Sequence, residues 1–229
     1  MSPKLVLFDI DGTILSARGI PRQAMAAVLK KRFPDFKYDD GFNFSGRTDW
    51  EIIEHLLLHD QRTAETGLIF RIFDDFANEL EIQLMNGKKP IIHPGIGELL
   101  AGLLQTENIF LGLVTGNTRQ GARIKLQAAG LYSYFAVGGY GDDAKNRNEL
   151  PPLAIRRAEK FYRVNFEKNN IWVIGDSPYD IYCAQSNGLR SLAVSTGWTS
   201  FQDLQAAHPH FLFENLSGTK EILALIRQE

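Results

Sequence analysis

Residues 5–15 read LVLFDIDGTIL, and this stretch decides the fold. The apolar run 5–8 predicts a buried strand. It ends abruptly in two carboxylates, Asp9 and Asp11, followed by Gly12 and Thr13. Successive side chains of an extended chain point to opposite faces, so Asp9 and Asp11 fall on the same side just past the strand end. Two carboxylates there repel unless a cation or a proton compensates. Gly12 and Thr13 suit a tight turn with free backbone N–H groups. Together these parts suggest one carboxylate as nucleophile, the other as proton shuttle, and a divalent cation between them. Asp-x-Asp-Gly also opens calcium loops, but those need a Glu at the twelfth position, and counting from Asp9 that residue is Ile20. An ordinary solvated turn is the alternative on this segment alone.

Working outward, further apolar, β-branched or aromatic runs occur at 109–114, 135–137, 171–174, 191–194 and 211–213. Helical patterns separate most of them. One runs from Pro94 through Leu104, and a second over 118–129 is stopped by Gly130. A third opens at Pro151 and Pro152, with Ile155, Ala158 and Phe161 on one face; a fourth, 179–187, is stopped by Gly188; a last spans about 219–226. Proline at the start and glycine just past the end is the expected helix punctuation. Alternating units of this kind predict an α/β fold, a doubly wound, mostly parallel sheet with helices on both faces.

Residues 17–89 interrupt the alternation with helical patterns at 22–33, 49–59 and 65–85 and no convincing strand. In the third, Ile69, Ile72, Phe73, Phe76, Leu80 and Leu84 recur at three- and four-residue spacing, an apolar stripe made for packing. The expected organisation is a core domain of residues 1–16 and 90–229 with a helical insertion of 17–89 and a return linker over 87–94. The stripe could pack within the insertion or against a second chain, so monomer and homodimer both stay open.

The chain has 229 residues, is 44% hydrophobic and 23% charged, and carries a net charge of −2. That composition is ordinary for a soluble globular protein. Without a basic run, nucleic acid is not expected as a partner. Cys183 is the sole cysteine, which excludes an intrachain disulfide and a cysteine-based metal site. No apolar stretch approaches membrane length, and the N-terminus enters a strand almost at once, so no membrane association and a cytoplasmic location are the expectation.

Ligands of open α/β sheets bind beyond the carboxyl ends of the strands. After the first strand come Asp9, Asp11, Gly12 and Thr13. After 110–114 come Thr115, Gly116 and Asn117, running into a helix. A hydroxyl and backbone N–H groups at a helix start suit a phosphate oxygen, though Thr-Gly-Asn is also a plain helix start. After 172–174 come Gly175, Asp176, Ser177, Pro178, Tyr179 and Asp180. Asp176 is placed for a cation; Asp180 could simply cap or brace its helix.

FDIDGT, LVTGN and VIGDSPYD, in that order and around a helical insertion, resemble the first, second and fourth motifs of the haloacid dehalogenase-like superfamily of hydrolases. The resemblance covers nearly the whole chain. It implies that Asp9 attacks a phosphoryl group and that Asp11 serves as general acid and then general base. It implies Mg²⁺ held by the Asp9 carboxylate, the Asp11 carbonyl and Asp176, with Asp180 behind them, and phosphate oxygens held by Thr115, Gly116 and Asn117 beside Gly12 and Thr13. The third motif departs from the pattern: in GGYGDDAKNRNELPPLAI the usual lysine is replaced, with Arg147 the nearer candidate and Lys145 the second. Asp142 and Asp143 in the same segment are expected to be a solvated acidic loop. Asp11 favours phosphate chemistry over carbon–halogen cleavage.

Within the insertion, FSGRTDWEI at 44–52 resembles the Gly-Arg-Thr-Asp loop of capped phosphatases similar to phosphoglycolate phosphatases. Asp49 is expected to cap the following helix, and Arg47 to meet a substrate carboxylate or second phosphate. The implied function is Mg²⁺-dependent phosphomonoester hydrolysis of a small phosphorylated metabolite. The alternatives are a phosphomutase of the same family and a catalytically inactive regulatory binding protein; phosphonate cleavage lacks a suitable cap lysine, since Lys30, Lys31 and Lys37 read as surface-facing.

Overall fold

A computed structural model describes residues 2–86 and 89–228. The start of the expected return linker, Gly87, lies outside the described residues. Among these residues, six parallel strands form one sheet. In chain order its strands are β1 (Lys4–Phe8), β4 (Ile109–Val114), β5 (Gly138–Gly139), β6 (Ile171–Gly175), β7 (Arg190–Val194) and β8 (Phe211–Phe213). Their spatial order is β5-β4-β1-β6-β7-β8. The chain therefore leaves β1 toward one side and returns on the other. The switch point lies between β1 and β6, where the backbone N–H of Asp9 donates to the Ile174 carbonyl at 2.9 Å.

β1 shows why an almost uninterrupted apolar run is needed at the centre of such a sheet. Val6 and Phe8 join a core built with α4 (Ile96–Leu104), α5 (Arg119–Ala128) and α9 (Thr219–Gln228). Leu5 and Leu7 face the opposite way, into a core built with α6 (Leu150–Tyr162) and α7 (Pro178–Ser186). Both faces are covered, so both sets of alternating side chains must be apolar. A short helix α8 (Phe201–Ala206), not anticipated from the sequence, packs Leu204, with Ala207 just past its end, against Ile181, Ala193 and Leu212 of α7, β7 and β8.

The insertion comprises α1 (Ile20–Arg32), α2 (Asp49–His59) and α3 (Thr66–Asn86). These helices share their own apolar cluster, which contains all six residues of the α3 stripe and one residue of α5, Ile124. The stripe thus packs within the insertion and down onto the sheet's α5. The helices are flanked by a two-stranded antiparallel ribbon, β2 (Leu15–Ser16) against β3 (Ile91–Ile92). Two residues per strand are too few for a periodicity to show in the sequence.

One strand is displaced from its expected position. Residues 135–137 are apolar and were expected to form it, yet pairing with β4 falls on Gly138 and Gly139. Phe135 and Val137 are core-packing residues of the approach to the strand. No helix among the described residues is long and apolar enough to cross a membrane.

Candidate active site

Just past β1 the chain folds into a compact turn. The N–H of Gly12 donates to the Leu15 carbonyl at 2.9 Å, and that of Thr13 to the Ile10 carbonyl at 3.3 Å. Neither N–H is free, contrary to the expectation from sequence, because the turn uses them to reverse into β2. Gly12 has φ 86°, and a Cβ there would fall 2.3 Å from Asp176 Oδ2. Glycine is required twice over, for its backbone conformation and for the approach of Asp176. Thr13 is fully buried and donates its hydroxyl to Asp176 Oδ1 at 3.3 Å. It holds a carboxylate in place instead of presenting a donor to a phosphate.

Asp9, Asp176 and Asp180 are buried and bring one carboxylate oxygen each to within 4.8 Å of one another. Arg147, from the turn that opens α6, places Nη2 3.0 Å from Asp9 Oδ1 and 2.5 Å from Asp180 Oδ1. Lys145 points elsewhere and pairs with Glu54 of α2. Asp180 has its other oxygen bonded by the Ser177 hydroxyl at 2.6 Å and N–H at 3.1 Å, a reciprocal cap of α7. Both of its oxygens are therefore occupied by the protein.

The electrostatics follow from this crowding. Burial raises Asp9 to about 6 against the opposing pull of Arg147, with Asp180 and Asp11 adding to the rise. Burial, then repulsion from Asp9 and Asp180, holds Asp176 well above the ordinary carboxylate value. Burial works against the charge of Arg147, but Asp180 and Asp9 outweigh it and hold its pKa above the ordinary value. One guanidinium thus faces three carboxylates. The deficit of positive charge, and a donor set made wholly of hard oxygens, fits a divalent cation of the Mg²⁺ or Ca²⁺ type. Burial also pushes the Cys183 thiol up to about 12, which removes it as a competing nucleophile.

The loop after β4 forms the second wall. Thr115 is fully buried, and its hydroxyl accepts from Asn117 Nδ2 at 2.7 Å. Asn117 Nδ2 also donates to Asp11 Oδ2 at 2.8 Å. At Gly116 a Cβ would lie 1.9 Å from the Arg47 carbonyl, so only glycine lets the insertion loop settle here.

That loop is stitched to the core by hydrogen bonds. Asp49 donates its N–H to the Gly116 carbonyl at 2.7 Å and accepts the Thr118 N–H on Oδ2 at 2.7 Å. Thr48 donates its hydroxyl to the Lys145 carbonyl at 2.8 Å, and Arg147 donates to the Gly46 carbonyl at 3.2 Å. The residue capping α2 is consequently Thr48, whose side chain accepts the Glu51 N–H; Asp49, expected in that role, clasps α5 instead. Arg47 lies across the mouth of this contact. It pairs with Glu51, donates Nε to the Asn43 carbonyl at 3.1 Å, and stands 4.9 Å over Phe42 and 5.4 Å over Tyr179.

Asp142 and Asp143 are not a solvated loop. Asp142 accepts the Arg119 N–H at 2.9 Å, and Asp143 accepts the Tyr140 N–H at 2.9 Å and pairs with Arg157. Two of the partners, Arg119 and Arg157, come from α5 and α6 on either side of the loop, which the local acidic run does not reveal.

Two residues of the site went unread in the sequence. One is Asp49 in its clasping role. The other is Lys125, buried on α5 with Nζ 2.5 Å from Asp11 Oδ2. A lysine beside Ala122, Leu126 and Ala129 in an otherwise apolar stripe is the trace it leaves in the sequence.

Asp49 makes a pH dependence measurable. Burial raises its carboxyl to about 6, against the opposing effects of Lys125 and the Thr118 N–H. Its unfolded value is about 3.9, so the folded state binds the proton more tightly. Stability on this account falls as pH rises from about 4 to about 6, and the cost is fully present above that window. Asp49→Asn keeps an oxygen for the Thr118 N–H without the charge. It is expected to unfold at or above the parent temperature at pH 8 and to lose that advantage at pH 4.5. Asp49→Ala, which strands the Thr118 N–H, is expected to cost about 1–3 kcal/mol at both. Thermal unfolding at the two pH values checks both.

A crevice at the switch point of a parallel sheet, with a buried carboxylate under a guanidinium and a cation-seeking group beside it, defines an α/β enzyme built to act on an oxyanion. The chain belongs to the haloacid dehalogenase-like hydrolase family, whose model matches residues 6–194. It is similar to the phosphoglycolate phosphatase of Synechococcus elongatus, with 29% identity over 232 residues, covering 97% of this chain and 99% of that relative. Among solved structures, a β-phosphoglucomutase from Clostridium difficile shares the fold with a TM-score of 0.76 at 19% identity, covering 100% of this chain and 98% of the other. A CbbY mutant from Rhodobacter sphaeroides, in complex with xylulose-(1,5)bisphosphate, does so with a TM-score of 0.75 at 19% identity, covering 94% and 95%.

Proposed function

We propose that this phosphatase is a Mg²⁺-dependent phosphomonoesterase that cleaves a small soluble organophosphate through an aspartyl-phosphate on Asp9. The observation that carries the reading is Asp9 itself, buried at the β1/β6 switch point with Arg147 at 3.0 Å and Asp176 and Asp180 beside it. In the first step an Asp9 oxygen bonds to phosphorus, the bond from phosphorus to the leaving oxygen breaks, and that oxygen takes the electron pair and a proton from Asp11. In the second, Asp11 takes a proton from water as the water oxygen bonds to phosphorus. The bond to Asp9 breaks, and its carboxylate is restored. Asp9, Asp176 and the Asp11 carbonyl would hold the cation, with Asp180 bracing Arg147 behind them. When bound, the cation supplies neutralisation of the carboxylates and of the phosphoryl oxygens. Thr115, Gly116 and Asn117 would hold those oxygens, and Arg147 would balance the charge that gathers on them.

Residues 17–89 act in this reading as a cap over the crevice, excluding water once substrate is bound. Arg47 at its mouth supports a substrate with a second anionic group, which would compete with Glu51 for the guanidinium. The phosphoglycolate phosphatase relative supports a substrate of that size and charge.

The test is phosphate release from a panel of small phosphomonoesters, phosphoglycolate among them, with Mg²⁺ and with EDTA. Turnover is expected with Mg²⁺, with loss on chelation restored by excess Mg²⁺. Isomerised sugar phosphate without free phosphate would establish the mutase reading instead. Folded protein that binds phosphate esters but converts none would establish the binding protein.

A further inference from the structure

We propose that Lys125 is a positioning residue for the proton-shuttling Asp11: together with Asn117 it locks one carboxylate oxygen, Oδ2, and leaves Oδ1 to exchange protons with the leaving group and then with water. This rests on the phosphatase reading above.

Lys125 is 2% exposed, and an ammonium so deeply buried costs several kcal/mol unless it is well paired. The nucleophile does not need it, because Arg147 already contacts Asp9 and Asp180. Its partners are others. Lys125 donates to Asp11 Oδ2 and to Asn117 Oδ1, each at 2.5 Å. Asn117 in turn donates Nδ2 to the same Asp11 Oδ2 at 2.8 Å and to the Thr115 hydroxyl at 2.7 Å. The result is a closed ring of hydrogen bonds joining the loops after β1 and β4. Every side chain in it but one is buried; the exception is Asp11, 39% exposed. Both donors converge on Oδ2, and Oδ1 makes no hydrogen bond to the described residues. A carboxyl fixed at one oxygen and open at the other has one orientation in which to give and take a proton, which is what an acid–base group in two successive steps requires.

Lys125→Met removes the donors while keeping the buried stem. It is compared with the parent on an alkyl phosphate and on p-nitrophenyl phosphate, whose leaving group departs with little protonation. The expected result is a fall in kcat of about 10²–10³-fold on the alkyl ester with KM changed by less than about threefold. On the aryl ester a rapid burst approaching one nitrophenolate per enzyme is expected, followed by slow turnover, because only water attack then lacks its oriented base. The burst also shows that Asp9 and the phosphate loop are intact. Equal losses on both esters without a burst, or no loss, would overturn the proposal. Should Lys125→Met not fold, Lys125→Gln, which keeps an amide donor, is expected to show the same split in milder form; failure of both to fold would make Lys125 structural and overturn it as well. A parent protein inert on both esters would instead sink the phosphatase reading itself, whereas an active parent with an indifferent variant sinks the role of Lys125 alone.

Discussion

Asp9→Asn is expected to lower phosphate release by at least about 10⁴-fold and to leave no acid-stable, alkali-labile phosphoenzyme. The amide has nearly the shape of the carboxylate but no nucleophilic oxygen. It also relieves a repulsion, since burial and the neighbours Asp180 and Asp11 already hold Asp9 near 6. The variant should therefore stay folded while losing chemistry, and binding of a phosphate ester should survive. Rapid-quench labelling with a ³²P ester, beside thermal unfolding, measures both. Retained turnover would remove Asp9 as the nucleophile.

The largest stability effect is expected at Arg147. Arg147→Met leaves Asp9 and Asp180 buried without their shared cation, and breaking a buried pair of this kind costs about 3–5 kcal/mol. For a chain of this size that is roughly 6–20 °C in unfolding temperature. The sign with pH can be stated. Without the guanidinium, which opposes the rise at Asp9, that carboxyl shifts further upward, so the folded state binds its proton still more tightly. The deficit against the parent is then greatest above pH 7 and shrinks as pH falls through 6 toward 4. Activity should fall about 10²–10³-fold at neutral pH, as for loss of one charge-stabilising donor. Arg147→Lys is expected to recover part of the stability but less of the activity. An ammonium has no planar fork with which to hold Asp9, Asp180 and the Gly46 carbonyl together. Unfolding curves at pH 5 and 8 for the three proteins decide it; a pH-independent deficit would mean that Arg147 acts by packing.

Much of the architecture was legible because it rests on local patterns. The run 5–8 is apolar at every position since both faces of β1 are covered, and the proline and glycine punctuation of α6 and α7 is chemistry within one segment. The α3 stripe was legible for the same reason. The ribbon β2–β3 was not, because two residues per strand carry no period. The shift from 135–137 to Gly138 and Gly139 was not, because apolar residues that approach a strand look like the strand. Of the site, Asp9, Asp176 and Arg147 could be placed in order along the chain, each at or near an element end. The clasp of Asp49 on Thr118, across 69 residues, leaves no local pattern, because an Asp at a helix start looks the same whether it caps that helix or bonds another.

The sequence by itself determined a parallel α/β core, an inserted set of helices, and carboxylates at the ends of the apolar runs 5–8 and 171–174. Those are consequences of side-chain periodicity and of the turn chemistry of single segments. Only the tertiary structure decided which cation meets which carboxylate: Arg147 to Asp9 and Asp180, Lys125 to Asp11, Lys145 to Glu54 on the insertion. Charge pairing between segments separated along the chain depends on distance in space, and that distance exists only once the sheet has brought its strand ends together.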